Sequence, residues 1–198
     1  MTEAIFVLGV GGSTRPNSTT ECALRVSLAA AGAAGAETLM LGSTDLLLPL
    51  YDADDLERSP KAIRLLEEVR RAHGLIIASP GYHGALSGMV KNALDYLEDM
   101  RRDDPPYLEG KAVGSIATAT GWQATMSTIM SLRSVVHALR GWPTPMGATI
   151  NTAGVVFDEA GECVDPIGRF QLELVGQQVV DFARMRATRA AAKAGASG

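Results

Sequence analysis

Short apolar runs alternate along the chain with longer segments in which apolar residues recur at helical spacing. The first run, Ala4 to Val10, ends at two glycines and is typical of a strand buried on both faces. The segment that follows, as far as Ala34, repeats apolar residues three and four positions apart, which predicts a helix. The chain therefore opens with a strand, a polar loop and a helix.

This alternation continues through the chain, with further strands predicted at 37–41, 75–79, 112–120 and 145–150. Strands that alternate with helices predict right-handed crossovers and an α/β fold, in which helices cover both faces of a five-stranded parallel sheet. No linker divides the chain, so residues 1–186 are expected to form a single domain. The Ala-rich segment 187–198 is expected to be a flexible C-terminal tail.

Composition excludes several classes of protein. A hydrophobic content of 46% is too high for a disordered chain, and a net charge of −4 argues against binding to a nucleic-acid backbone. Cys22 and Cys163 are far apart and have no histidine at ligand spacing, so neither a disulfide framework nor a metal site is expected. There is no basic leader and no apolar run of about 20 residues. We expect a cytoplasmic protein that does not bind membranes.

Three loops of unusual composition follow predicted strands, where open parallel sheets bind ligands. The loop Gly11 to Thr20 places hydroxyls and Arg15 before a helix N-terminus, which is typical of a phosphate site. The alternative is that Ser18 or Thr19 only caps the helix and Arg15 is solvated. The loop lacks the lysine of a P-loop and the third glycine of a dinucleotide fingerprint.

The second loop, Pro80 to Gly88, combines Tyr82 and His83 with three glycines. Glycine lets backbone N–H groups approach a flat ligand, and an aromatic side chain can pack against its ring, so this loop favours a planar heterocycle. The alternative is a surface turn in which His83 has no role.

Two segments together resemble the NADPH-dependent FMN reductase family of flavodoxin-like proteins: GSTRPNS at 12–18 and SPGYHGALSGMVKNALDYL at 79–97. The resemblance implies a flavodoxin-like three-layer sandwich with strand order 2-1-3-4-5. It also implies FMN as cofactor and NADPH or NADH as electron donor. The residues then expected at the FMN site are Ser13, Arg15, Ser18, Thr19 and Thr20 near the phosphate, Pro80, Gly81, Tyr82, His83 and Gly84 near the isoalloxazine and ribityl, and Thr120, Gly121 and Trp122 in the third loop.

This chain departs from the family pattern at two positions. Gly81 stands where the family usually has Glu, which removes a charge beside the flavin. Trp122 stands in a loop that lacks the double glycine of several relatives. Three hypotheses for its indole are that it covers the flavin ring, packs against a partner subunit or packs in the core.

The resemblance implies an oxidoreductase that passes two electrons through FMN to a small-molecule acceptor such as free flavin, a quinone or an azo compound. No side-chain nucleophile is evident, in agreement with a flavin that carries the chemistry. A homodimer or homotetramer is expected, with Met89, Tyr96 and Met100 of the third helix as a possible contact face. The alternatives are a flavodoxin-type electron carrier and a phosphate-ligand binder without redox activity.

Overall fold

Strands and helices alternate along the chain as the sequence pattern predicts. A computed structural model describes residues 4–196. The strands are β1 (Phe6–Gly11), β2 (Glu37–Leu41), β3 (Gly74–Tyr82), β4 (Ala85–Leu86), β5 (Ala112–Ala119) and β6 (Trp142–Asn151). The helices are α1 (Thr19–Ala33), α2 (Pro60–Arg71), α3 (Gly88–Asp95), α4 (Trp122–Ala138) and α5 (Pro166–Ala196), and a 3-10 helix (Tyr96–Met100) continues α3.

The main sheet is parallel and has the order β2-β1-β3-β5-β6. This order confirms the predicted flavodoxin-like topology. The chain moves outward from β1 in one direction to β2 and in the other to β3, so the loops after β1 and β3 diverge and leave a crevice at the carboxyl edge. The sequence pattern missed β4, a two-residue strand that pairs antiparallel with β3.

Each face of the sheet carries its own apolar layer, which explains why the central strands are continuously apolar. Leu8 and Val10 of β1 pack with α2, α3 and α4 on one face, while Val7 packs with α1 and α5 on the other. Because successive side chains of a strand point to opposite faces, every residue of β1 and β5 is buried.

The structure differs from the predicted elements at β6 and α5. β6 is longer than predicted and includes Pro143 and Pro145, which an edge strand tolerates because one side of its backbone has no ladder to complete. α5 continues to Ala196, whereas a flexible tail is expected from residue 187. Alanine has the highest helix propensity of any residue, which accounts for the added helical turns. Residues 197–198 of the expected tail lie outside the described range.

The expected contact face on the third helix is wrong. Tyr96 is 3% exposed and Met100 is 2% exposed, and both belong to the core. The α-helix ends at Asp95 and continues as a 3-10 helix, in which side chains recur every three residues, so helical spacing assigned these two side chains to the wrong face.

Within residues 4–196, none of the helices combines the length and apolarity needed to cross a membrane.

Candidate functional site

A cleft of about 360 Å³ opens at the carboxyl ends of β1, β3 and β5. All three predicted loops contribute to it. The predicted residues that line the cleft are Ser13, Arg15, Ser18, Thr19, Thr20, Pro80, Gly81, Tyr82 and Thr120. The lining residues that the sequence did not indicate are Thr118, Ala119, Ala124 and Thr152.

The loop after β1 brings the N-terminus of α1 to the cleft. Ser18 is the N-cap of α1, and its Oγ accepts the N–H of Glu21 at 3.4 Å. Ser13 Oγ accepts the N–H of Arg15 at 3.2 Å, which shapes the loop. The first four N–H groups of an α-helix have no partner within the helix, and one serine satisfies only one of them. Ser18 therefore caps α1 and also lines the cleft, beside N–H groups that remain open to a ligand.

Arg15 gives this end of the cleft its positive charge. Its side chain is exposed, and it is the one basic residue in the lining of the cleft as the structure describes it. Ion pairs between residues 4 and 196 do not involve its guanidinium. A helix N-terminus with an unengaged guanidinium beside it favours an anionic group.

Two buried hydroxyls form the floor of the cleft. Thr20 Oγ1 and Thr118 Oγ1 lie 2.6 Å apart, so the helix after β1 is hydrogen-bonded to strand β5. In such a pair one hydroxyl donates to the other, and the accepting hydroxyl keeps a proton that it can donate elsewhere. The floor can therefore offer one O–H donor to a ligand.

The β3–β4 hairpin forms the wall opposite the helix N-terminus. Tyr82 pairs with Ala85, so His83 and Gly84 are the two central residues of the turn. Their φ angles are +50° and +89°, as a type I′ turn requires. Tyr82 lines the cleft and is half-exposed. His83 and Gly84 lie at the exposed turn, outside the lining, which agrees with the surface-turn alternative for these two residues.

Gly81 lets helix α4 approach this wall closely. A Cβ at this position would lie 2.4 Å from Thr128 Oγ1 and 3.2 Å from the carbonyl oxygen of Ala124. The carboxylate that the family usually has at this position would therefore meet α4. The glycine is a packing requirement here as well as a loss of charge.

The turn from β5 into α4 forms the remaining wall. Gly121 is the N-cap of α4 with φ +112°, a left-handed conformation that favours glycine. Its N–H donates to Asn151 Oδ1 at 2.9 Å, which ties the turn to the end of β6. Thr120 Oγ1 lies 3.3 Å from Thr152 Oγ1 at the rim of the cleft.

Trp122 does not line this cleft. Its side chain is 63% exposed, so the hypothesis that it packs in the core is wrong. The indole lies instead in the wall of an adjacent cleft of about 500 Å³, together with Val155, Val164 and Ile167.

An ion pair attaches the loop between β2 and α2 to the 3-10 helix, and no described residue of this loop lines the cleft. Arg58 Nε and Nη2 donate to the two carboxylate oxygens of Asp99 at 2.7 and 3.0 Å, and the guanidinium lies 5.0 Å from the ring centroid of Tyr51. Hydrogen bonding from Arg58 holds the pKa of Asp99 below its usual value, while burial and the Asp99 charge raise the pKa of Tyr51. Asn92 of the family-like segment binds the same loop, since its Oδ1 accepts the Tyr51 N–H at 2.8 Å. These residues hold the loop between β2 and α2 against α3 and the 3-10 helix.

Comparison with known proteins agrees with this geometry. Residues 5–154 match the family model described as NADPH-dependent FMN reductase. The chain is 30% identical over 188 residues to the NAD(P)H-dependent FMN reductase of Pseudomonas aeruginosa, covering 90% of this chain and 94% of that protein.

The chain is also 30% identical to the FMN-dependent NADPH-azoreductase of Staphylococcus aureus, although the aligned part spans only 65% of each protein. Among solved structures, the flavoenzyme NAD(P)H:(acceptor) oxidoreductase of Paracoccus denitrificans superposes with a TM-score of 0.75 at 20% identity, covering 92% of this chain and 99% of that one. The chain belongs to the NADPH-dependent FMN reductase family.

Proposed function

We propose that this chain is an FMN-dependent NAD(P)H oxidoreductase that holds FMN in the cleft at the carboxyl ends of β1, β3 and β5. The observation that carries the proposal is that the chemical character of this cleft changes from one end to the other. One end combines Arg15 with a helix N-terminus, the floor offers a hydroxyl, and the far wall is backbone, glycine and one aromatic ring. A phosphorylated, polyhydroxylated and flat ligand matches these three parts in that order.

The donor set fits the parts of FMN. The phosphate would lie against Ser13, Arg15 and the first residues of α1, Ser18, Thr19 and Thr20. The ribityl chain would cross the Thr20–Thr118 floor, and the isoalloxazine would rest along the walls formed by Pro80–Tyr82 and Thr120. Gly121 shapes the turn from β5 into α4 next to this wall, and we assign His83, Gly84 and Trp122 no direct contact with the flavin.

FMN, when bound, supplies the redox chemistry, accepting two electrons from NADPH or NADH and delivering them to an acceptor. The chain's own residues bind and orient the cofactor. The positive charge of Arg15 and the dipole of α1 offset the phosphate charge, while half-exposed Tyr82 leaves the cleft mouth open to a second flat molecule. An open mouth fits donor and acceptor using the same face in turn.

The acceptor is proposed to be a small aromatic molecule, because one relative is named for reducing FMN and another for reducing azo compounds. The buried free cysteines Cys22 and Cys163 fit a reducing cytoplasm. A homodimer or homotetramer remains part of the proposal. The exposed stripe Trp122, Met126 and Met130 on α4 supports it, in place of the third helix.

Anaerobic spectroscopy of the FMN-reconstituted protein tests this function. We expect FMN to be retained through gel filtration, its visible absorbance to bleach with NADPH or NADH, and the absorbance to return when an azo dye or free FMN is added. Retention of FMN without bleaching would instead favour a flavodoxin-type carrier. A protein that does not retain FMN would favour the phosphate-ligand binder.

A further inference from the structure

A buried carboxylate lies directly behind the loop that receives the phosphate in the proposed function. Glu21, in the first turn of α1, is 4% exposed. Its Oε2 accepts the N–H of Asn17 at 2.7 Å, and its Oε1 accepts the N–H of Ser43 at 2.7 Å. One side chain therefore connects the loop after β1 to the loop after β2.

The backbone around Glu21 leaves space for this side chain and for little else. A Cβ on Gly12 would lie 2.9 Å from Glu21 Cγ, and a Cβ on Gly42 would lie 2.6 Å from Glu21 Oε1. Each of the two joined loops thus has a glycine where the carboxylate passes. Asn17, which donates one of the hydrogen bonds, has φ +54°, a left-handed conformation that asparagine tolerates, and the Glu21 carboxylate accepts its N–H in that conformation.

Glu21 does not touch the cleft itself. It is absent from the residues that line the cleft, whereas Arg15, Ser18 and Thr19 on the other side of the same loop do line it. No lysine, arginine or histidine in the described part of the chain forms an ion pair with Glu21, so backbone N–H groups and the positive end of α1 are what offset its charge.

We propose that Glu21 is a positioning residue that holds loop 12–18 in its phosphate-binding conformation from behind. By accepting the N–H of Asn17, the Glu21 carboxylate fixes loop 12–18 just before the N-cap Ser18. By accepting the N–H of Ser43, it also ties loop 12–18 to the loop after β2, so loop 12–18 cannot move away from the edge of the sheet. The inference rests on the proposed function, because it assigns Glu21 to the phosphate end of the FMN site.

The test compares FMN with riboflavin, which lacks the phosphate, in the Glu21→Gln variant. An amide has a single acceptor oxygen, so Gln can satisfy only one of the two N–H groups. We expect the Kd for FMN to rise about 10-fold, the scale of losing one hydrogen bond to a charged group, while the Kd for riboflavin stays at the wild-type value. Flavin fluorescence titration measures both.

Ser27→Ala is the matched control. Ser27 is a buried residue of the same helix, and its hydroxyl donates to the carbonyl oxygen of Leu172 in α5 at 2.6 Å, so this hydrogen bond does not involve loop 12–18. This variant loses a buried hydrogen bond of α1 but should keep the wild-type ratio of FMN to riboflavin affinity. General damage to α1 would move both ligands together in both variants.

Two outcomes would overturn the inference: an unchanged FMN to riboflavin affinity ratio in Glu21→Gln, whether both affinities stay the same or fall together, or an equal change of that ratio in Ser27→Ala. If Glu21→Gln does not fold, Glu21→Asp decides, since it keeps the charge but is one methylene too short to reach both donors. An unchanged ratio in Glu21→Asp would then count against Glu21. A wild-type protein that binds neither flavin would instead overturn the proposed function itself.

Discussion

The two ends of the cleft are built by different means. The end at β1 and α1 is made of polar side chains close together in sequence, and a buried carboxylate fixes them from behind. The end at β3, β4 and α4 is made mainly of backbone and small residues from distant parts of the chain, and Gly81 packs closely against α4.

This difference assigns FMN affinity to one end of the cleft and acceptor selectivity to the other. A charged group needs donors at defined positions, so the phosphate end is specified by side-chain identity and by rigid anchoring. A flat ring needs an open surface close to the backbone, so the other end is specified by the absence of side chains. We expect substitutions at the first end to change FMN binding, and substitutions at the second to change packing or acceptor choice.

The largest effect is expected from Gly81→Glu, which restores the usual family residue. Because a Cβ there would lie 2.4 Å from Thr128 Oγ1, overpacking should lower the free energy of unfolding by about 1–3 kcal/mol. Urea denaturation measures this loss. Gly88→Ala is the control, since its Cβ would meet no atom within 4 Å at the start of α3, and it should be neutral or slightly stabilising. Equal stability of Gly81→Glu and wild type would contradict the tight packing of α4.

Arg15→Ala should have the next largest effect, and it acts on the phosphate end. Loss of a charged hydrogen-bond donor should weaken FMN binding about 10-fold or more, with little change for riboflavin. Arg15→Lys keeps the charge but lacks the planar guanidinium, so its FMN affinity should lie between those of wild type and Arg15→Ala. A similar loss for riboflavin would place Arg15 beside the ring and reverse the orientation that we propose.

The Arg58–Asp99 pair supplies a comparison region outside the cleft. Arg58→Met should lower the free energy of unfolding by about 1 kcal/mol at neutral pH, because the bidentate pair is partly buried. The pKa of Asp99 is depressed in the folded protein, so its contribution is present above the ordinary Asp pKa of about 3.9 and is lost as the pH falls below it.

Urea unfolding of wild type and Arg58→Met at neutral and acidic pH measures this contribution. The difference between the two proteins should shrink towards acidic pH, while the FMN affinity at neutral pH stays unchanged. A difference that does not depend on pH would exclude an electrostatic origin.

Trp122→Ala should have the smallest effect on the protein. Its indole is 63% exposed on the single chain, so the free energy of unfolding of the monomer should change by no more than about 0.5 kcal/mol. The visible spectrum of bound FMN should also be unchanged, because Trp122 lies in the wall of the adjacent cleft. Tyr82→Ala, which alters a lining residue, should change that spectrum. A spectral shift in Trp122→Ala would favour the hypothesis that the indole covers the ring.

The two ends of the cleft also differ in how well the sequence predicts them. The loop that we propose to bind the phosphate is recognisable because its hydroxyls and Arg15 lie within a few residues of a strand end and a helix start. Thr118, Ala124 and Thr152 give no such signal, since they come from β5, α4 and the segment after β6 and are ordinary residues for those places.

Glu21 falls between these cases. Ser18 and Glu21 have the spacing of a capping box, which is visible in the sequence, but the partner Ser43 lies 22 residues away beyond another strand. The predicted contact face of the third helix was wrong for a local reason: the helix changes to 3-10 geometry after Asp95, and this change buries Tyr96 and Met100. Hydrophobic spacing alone does not reveal where a helix changes its pitch.

The alternation of strands and helices, the parallel sheet and the polar loop after β1 can all be read from the amino-acid sequence, because each depends on neighbouring residues and on burial of apolar faces. Which side chains face the cleft depends on the three-dimensional arrangement of the chain: Thr118 lines the cleft, whereas His83 and Trp122 do not. Crossovers bring the ends of strands that are distant in sequence to one edge of the sheet, so spacing along the chain does not show which residues meet there. A single turn or helix start then sets the direction of each side chain there.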